Sequence, residues 1–572
     1  MSHTPTPQPP AANHRRVRWL LVGILALSAA LRLLPPGSAP PGIHQDEAAN
    51  AWNAWCILNT GMDQAGAHTP IFYTRALGEN RSTLFVYWMI PFQLIGGLNV
   101  FTMRAPAAAA GVLSVLLTFL ILRRAVSPTA GLIGALLMAI APWHVQHTRW
   151  GHEASLCPLA VCTAIWVCGW AGMPILRGTT MTVGAPPLWR SVIAGLMVGL
   201  VCYGYPAIRL FVPVLLLAIA CVSLPEWWRL MRTSAGLRRL AGLALGLAVT
   251  FGPLVWTHVT DGQAINKRGN TTWVWGTRES VAQCVGLVAV RYFEHFDPAF
   301  LLTRGDNFAT IAPAIGGQIP WYFALLLIVG AGTAVAGWRS SSTARALLVG
   351  LVLYPISDIL NANDGPSALR SFPGIVPLVL LAAFGAARWA AWWWSRRRIY
   401  VELLAAWVLL EAGIWGWWFY GDFDRRDKIQ RTYHVALVEA CRVLGDELNT
   451  ADAVFVTADE KLVNMPYVVM LVAMNYDPHR WQAERIAGRV DVQEIGVWDY
   501  CFRFGNVYFL YPPAPHDPRL GGTHYLSAMR EDAQSQRAIF IVPPTEFRSM
   551  KPSAEIRDAA GEVQLVIIRA EI

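Results

Sequence analysis

Over the first three-quarters of the chain, apolar residues gather into runs separated by short polar stretches. The runs approach the roughly 17 to 25 residues that a helix needs to cross a hydrocarbon core. Hydropathy predicts helices at 19–34, 104–122, 130–143, 154–173, 191–206, 208–224, 240–257, 320–337, 346–361, 371–391 and 400–420, about eleven spans. Basic residues mark every second loop: Arg123 and Arg124; Arg177 and Arg190; Arg229, Arg232, Arg238 and Arg239; Arg339 and Arg345; Arg396 to Arg398. Short loops rich in arginine resist translocation. The alternation therefore predicts a cytoplasmic N-terminus and an outer C-terminus. A further apolar stretch at 84–98 would turn Arg123 and Arg124 outward if it crossed the membrane. With a central Pro91 and with Gly96 and Gly97 at its end, it predicts a helix lying in the outer interface.

Beyond Tyr420 the pattern changes. A helical period over 433–448 alternates with short β-branched runs at 453–457, 538–542 and 563–568, which predicts a small α/β domain. The Pro- and Thr-rich stretch 2–13 predicts a disordered tail. The first apolar run follows Arg15, Arg16 and Arg18, and Pro35-Pro36-Gly37 after it offers no small-residue cleavage site, so it reads as a retained anchor. The expected organisation is a cytoplasmic tail at 1–18, a transmembrane domain at 19–420 with outer loops 37–103 and 257–320, and an extracytoplasmic α/β domain at 421–572.

Composition agrees with a lipid solvent. The chain is 54% hydrophobic and 15% charged, with a mean hydropathy of +0.38, against about 25% charged residues in a typical soluble domain. The net charge of +9 does not point to nucleic acid, because the basic residues sit in scattered short loops rather than one patch with interleaved aromatics. Tryptophans favour segment ends, as at Trp143, Trp150, Trp227, Trp228 and Trp392 to Trp394, which fits interfacial belts. The nine cysteines include no CxxC pair and lie mostly inside apolar runs, where they act as small hydrophobes; Cys441 and Cys501, in the polar tail, are open to pairing.

Polar residues with chemical potential fall on the outer side. Gly42-Ile43-His44-Gln45-Asp46-Glu47 places two adjacent carboxylates after a Pro/Gly turn, at the start of a helical stretch running to about Leu58. Acids in a first turn suit the helix dipole, so Asp46 reads equally as a helix cap and as a carboxylate held at headgroup level. A second loop carries His144, His147, Arg149, Trp150, His152 and Glu153, with Glu153 at the mouth of an apolar helix. Such a charge faces a polar cavity or snorkels to the interface. Arg81, Arg209 at the end of the run from Tyr203 through Tyr205 to Ile208, and Arg370 are predicted as outer cations. Their planar forks suit phosphate as well as lipid-headgroup anchoring. Clusters of His, Asp and Glu also admit a divalent metal cation, for which Asp46 and Glu153 are the candidate ligands, although two carboxylates from distant loops are a weak metal signature.

These stretches, together with Arg104-Ala105-Pro106, the run from Ala141-Pro142 to Glu153, His295-Phe296-Asp297-Pro298 to Asp306, and Ala368-Leu369-Arg370 to Pro373, resemble GT-C glycosyltransferases of the family 39, protein O-mannosyltransferase-like group, with kinship to lipid A aminoarabinose transferases. The resemblance covers roughly residues 19–394. It implies a GT-C fold in a multi-pass protein of the inner cell membrane, with an interfacial helix pair before the second span. The implied partners are a polyprenyl-phosphate sugar donor and a glycan, lipid or protein acceptor. It also implies catalytic roles for Asp46, Glu47 and Glu153, donor-phosphate binding by Arg81, Arg209 and Arg370, and support from His44, His152, Arg149 and Tyr205. This sequence has Glu153 where the group usually has Asp, and Arg81 near a position that is often Lys in the aminoarabinose transferases. A transporter or flippase of a lipid-linked sugar is the rival reading and would need ionisable groups along a path through mid-membrane. Glu411 in the last span is the main one, and Asp358 lies near an outer end. A third reading is a non-catalytic assembly partner.

Overall fold

The computed structural model describes residues 14–35, 39–176, 186–262, 272–276, 280–308, 312–313, 315–362, 365–394, 396–459, 463–495, 498–511, 537–545 and 551–570. The expected tail at 2–13 lies outside them. The first helix, α1 (His14–Leu33), starts ahead of its apolar run, so Arg15, Arg16 and Arg18 belong to its opening turns and not to a tail.

The loop expected on the outer side after the first helix is built rather than irregular. It holds α2 (Gln45–Thr60), a hairpin of β1 (Tyr73–Ala76) and β2 (Glu79–Ser82), and α3 (Thr83–Gly96), the helix expected at the interface. The hairpin turns through Leu77 and Gly78 alone, both at positive φ (58° and 82°), the geometry that matches the strand twist in two-residue turns.

Helices then occupy every predicted span: α4 (Val100–Ala125), α5 (Pro128–Ile140) followed by the short α6 (Pro142–His147), α7 (Cys157–Trp170), α8 (Leu188–Val201), α9 (Pro206–Val222) bent by 84° into α10 (Leu224–Met231), and α11 (Ser234–Thr260). After an unpredicted α12 (Val281–Glu294) come α13 (Trp321–Ala336), α14 (Ser342–Leu353), α15 (Ile375–Trp394) and α16 (Ile399–Gly421). Among the described residues five helical stretches are long and apolar enough to cross a membrane alone, and the bent pair makes a sixth. Of the others, all but α1 are shorter than their apolar runs. The expected span 130–143 ends at Ile140, where Pro142 starts a new helix, and 346–361 leaves regular helix after Leu353. The residues released by these breaks, His144 to Glu153 and Asp358, carry the polar chemistry.

Helices α4, α5, α7 and α15 form the buried centre of the helical part. Glu411 is engaged locally on α16: its carboxylate accepts the Trp321 N–H at the start of α13 (2.8 Å) and the Trp407 indole N–H (2.5 Å).

The C-terminal part contains α17 (Asp427–Thr432), α18 (Val435–Leu444), α19 (Glu447–Thr450), β3 (Ala453–Thr457), α20 (Pro466–Ala473), α21 (Pro478–Ile486), β4 (Asp491–Ile495), β5 (Trp498–Phe504), β6 (Val507–Leu510), β7 (Ala538–Val542), β8 (Ala554–Arg557) and β9 (Val563–Ala570). One mixed sheet runs in the order β4-β5-β6-β3-β7-β9-β8, with β3 parallel to both neighbours. All five residues of β3 are buried, as a central strand covered on both faces requires.

This sheet does not stand apart from the membrane part. Val454, Tyr467, Val468 and Trp481 share a hydrophobic core with Ala48, Trp52 and Cys56 of α2. The Trp481 indole donates to Gln64 O (2.8 Å), and the Gln482 amide donates to Asp63 O (2.7 Å). Cys441 and Cys501 are separate buried thiols, so the pairing left open by the sequence is not made.

Candidate active site

The backbone ahead of α2 runs through Pro40, Pro41 and Gly42 into His44, which caps the helix: its Nδ1 accepts the Asp46 N–H at 3.1 Å. Glu47 completes a capping box by accepting the His44 N–H at 3.0 Å. The cap is therefore His44 with Glu47, which leaves the Asp46 side chain free of that duty.

Glu47 is not placed for catalysis. It is fully buried, and both oxygens are taken: Arg104 donates from Nε (3.1 Å) and Nη2 (2.7 Å), and Gly151 N–H donates at 3.0 Å. Burial pushes its pKa up, but Arg104 and the two N–H donors outweigh that and hold it low. The pair bolts α2 to α4 and to the loop before Glu153. Breaking a buried pair by removing one partner typically costs about 3–5 kcal/mol. Arg104→Leu is accordingly expected to lower the thermal midpoint of the purified protein by several degrees, measured by intrinsic-fluorescence unfolding in detergent, whereas Asp46→Asn, at a more exposed carboxylate whose amide keeps an oxygen for Arg81, is expected to lower it less.

Arg81 sits on β2, opposite Thr74, with its side chain only 4% exposed. Its Nη2 donates to Asp46 Oδ1 at 2.5 Å and lies 3.9 Å from Glu79; its Nη1 lies 3.6 Å from Glu153 Oε2. Nε and Nη1 are buried and make no hydrogen bond among the described residues. A buried guanidinium with unused N–H donors is costly unless something accepts from them. Asn50, one turn beyond Asp46 on α2, donates to Glu153 Oε2 (2.9 Å) and to Gly151 O (3.2 Å).

His152 Nδ1 accepts the Ala154 N–H (3.0 Å), which turns Nε2 toward Asp46 Oδ2 at 3.9 Å; His44 Nδ1 lies 3.6 Å from the same oxygen. Asp46 is the accessible member, its side chain 23% exposed against 8% for Glu153. Burial alone would raise the Asp46 pKa. Arg81 first, then His44 and His152, reverse this and hold it well below the usual carboxylate range. Burial also lowers the His44 pKa to about 4, so this ring is neutral and fit to accept in the cap.

The remaining cations divide. Arg209 on α9 donates to Ser82 Oγ (3.1 Å) and Cys202 O (3.2 Å), beside Arg81 in the chain, and no acid pairs with it among the described residues. Arg370 pairs with Asp358, which also contacts His295 Nε2 (3.1 Å) and accepts the Ser367 N–H (2.7 Å). Tyr205 packs edge-on to His152 with ring centres 5.7 Å apart and lies within electrostatic range of both Glu153 and Arg370, linking the two polar groups.

Arg149 belongs elsewhere. It donates to Leu31 O (2.7 Å), Leu34 O (2.9 Å) and Ala39 O (2.6 Å), closing the end of α1, and its guanidinium lies over the Tyr420 ring. Its expected supporting role in the site is replaced by a structural one.

Asn50, Glu79 and His295 were not legible as site residues. Asn50 had a usable signal in its spacing of four from Asp46 on a helix, and His295 in opening one of the stretches that carry the resemblance.

The donor set does not suit a divalent cation. Asp46 and Glu153 share one guanidinium, the Nδ1 atoms of His44 and His152 are used in caps, and among the described residues no group of three His, Cys, Asp or Glu side chains could hold a metal.

A bundle of apolar helices whose first long loop delivers a carboxylate beside an arginine, joined to an α/β domain, is a fold that the chain shares with solved structures. Among solved structures, ArnT from Cupriavidus metallidurans bound to undecaprenyl phosphate matches with a TM-score of 0.52 and 11% identity over 98% of each chain, and its apo form with a TM-score of 0.51 over the same share. The oligosaccharyltransferase of Archaeoglobus fulgidus matches with a TM-score of 0.43 and 13% identity, over 81% of this chain and 64% of its own. No family model and no curated relative matches the sequence.

Proposed function

We propose that the protein is a glycosyltransferase that moves a sugar from a polyprenyl-phosphate donor to a glycan, lipid or protein acceptor on the outer side of the membrane. One observation carries this reading: Arg81, buried between two carboxylates, keeps Nε and Nη1 without acceptors among the described residues. Phosphate oxygens match that fork. The shared fold adds support, since that ArnT structure contains undecaprenyl phosphate.

In the proposed reaction the acceptor hydroxyl attacks the anomeric carbon from the face opposite the leaving group. The sugar C–O bond to phosphate breaks, and polyprenyl phosphate leaves with the electron pair, so configuration inverts. Asp46 takes the acceptor proton. Paired with Arg81 at rest, Asp46 is a weak base; when phosphate engages Arg81 the pairing weakens and basicity rises toward what proton transfer needs. Glu153, held by Asn50, keeps the guanidinium in place. Arg209 supplies a second positive charge near Ser82, and Arg370 lies on the far side of Tyr205. No step is assigned to a metal, because a cation between Asp46 and Glu153 would have to displace Arg81.

The proposed setting is the inner cell membrane, with about eleven spans, the N-terminus inside and residues 421–572 outside. A transporter would need free ionisable groups along a path, yet Glu411 caps α13 and Asp358 is committed to Arg370 and His295.

A protection experiment tests donor recognition. A lipid at one hundred times its Kd stabilises the folded state by about 2.7 kcal/mol, so polyprenyl phosphate is expected to raise the unfolding midpoint while the corresponding polyprenol does not. Equal shifts with both lipids would contradict phosphate recognition.

A further inference from the structure

At the joint between the membrane helices and the sheet, Tyr433 and His434 precede α18, and both turn back onto the segment that leads into Asp46. The Ile43 N–H donates to Tyr433 O at 2.6 Å, and the Ile43 carbonyl faces His434 Nδ1 at 2.9 Å. Both peptide groups of one residue are thus held by two consecutive residues nearly 400 positions away. The approach is close. Gly42 has φ +53°, and a Cβ there would lie 2.1 Å from Tyr433 O, so the contact requires glycine.

His434 is itself constrained. It adopts the left-handed region (φ 49°, ψ 36°), which histidine tolerates better than most residues, and its Nε2 faces Asn464 O at 2.6 Å in the loop before α20. It is 2% exposed. The Tyr433 ring meets the edge of His44, the cap of α2, with centroids 5.4 Å apart. One imidazole, at the start of α18, therefore stands between a carbonyl of the loop before α2 and a carbonyl of the loop before α20, with one N–H in the neutral ring to donate to one of them, and α20 shares a core with α2.

We propose that His434 is a positioning residue for the transfer reaction, a clip through which the C-terminal domain sets where Asp46 stands against Arg81. This rests on the reading of Asp46 as the reacting carboxylate. His434 touches neither donor nor acceptor and acts through Ile43 and His44. Misplacement of a reacting group by about 1 Å can cost about 10²-fold in rate.

The test compares the full chain carrying His434→Gly or His434→Asn with wild type and with Asp46→Asn. Glycine keeps the left-handed backbone and removes both ring contacts. Asparagine also tolerates that backbone and returns one side-chain N–H toward Ile43 O. In His434→Gly, kcat of the folded protein is expected to fall by about 10²-fold, with the donor KM close to wild type and the unfolding midpoint lowered but still above the assay temperature; His434→Asn is expected to recover most of the loss in kcat. Unchanged kcat in His434→Gly, or a loss that only tracks the unfolded fraction, would overturn the clip. If Asp46→Asn retains full transfer, the reading of Asp46 fails and the clip falls with it. If Asp46→Asn is inactive while His434→Gly is not, only the clip fails.

Discussion

Asp46→Asn is expected to lower transfer from a lipid-linked donor by about 10²- to 10⁴-fold, the usual contribution of a positioned base, with little change in donor affinity and a smaller loss of stability than breaking the fully buried Glu47–Arg104 pair. The expectation follows from what Asp46 does not do. It does not cap α2, a task taken by His44 and Glu47, and it is more exposed than Glu153 or Arg81, so no core depends on its charge. Asparagine is nearly isosteric and keeps an oxygen for Arg81, but it cannot take a proton. The comparison with Glu47→Gln is informative because the two acids are adjacent: Glu47 lies in a saturated buried pair, and its loss is expected to appear first as instability. Steady-state transfer in folded, lipid-binding protein separates the two.

Arg81→Gln has the next largest expected effect and acts twice. It removes the donor aimed at the leaving phosphate, and loss of a single such donor typically costs about 10²- to 10³-fold in kcat. It also removes the charge that holds the Asp46 pKa down, leaving burial opposed only by His44 and His152. The sign is fixed by that depression. In wild type Asp46 stays ionised well into acid, so the stability from its pairing is present above the usual carboxylate pKa of about 3.9 and is lost only as pH falls through the lower folded value. Without Arg81 the folded pKa rises, and the acid limb of the rate profile is expected to move to higher pH. A pH–rate series on both proteins reads this directly; an unmoved acid limb would show that Asp46 is not the titrating base.

Features set by bulk hydrophobicity were legible in the chain. Apolar runs marked a helix at every expected span, and 453–457 and 538–542 are strands with those bounds because wholly buried strands are continuous apolar runs. Features set by pairing were not. The hairpin that carries Arg81 consists of two four-residue strands, Tyr-Thr-Arg-Ala and Glu-Asn-Arg-Ser, with no alternation to read. Strand β4, Asp-Val-Gln-Glu-Ile, is a largely exposed edge and looks polar. For the site, the sequence placed Asp46, Arg81 and Glu153 on one side of the membrane, and the structure brings them within one guanidinium of each other. It could not separate Glu47 from Asp46, or Arg149 from the other arginines, because those distinctions depend on partners distant in sequence: Arg104, Gly151 and the carbonyls that end α1. The role of His434 was hidden for the same reason, since Ile43 is remote along the chain.

The most direct test of the central claim is sugar transfer from a panel of radiolabelled polyprenyl-phosphate monosaccharides, using membranes that contain wild type or Asp46→Asn and following donor hydrolysis in parallel. The account predicts transfer, or slow hydrolysis, of at least one donor by wild type and its loss in Asp46→Asn. No turnover of any donor, together with movement of the same lipids across vesicles by wild type, would contradict it and identify a transporter.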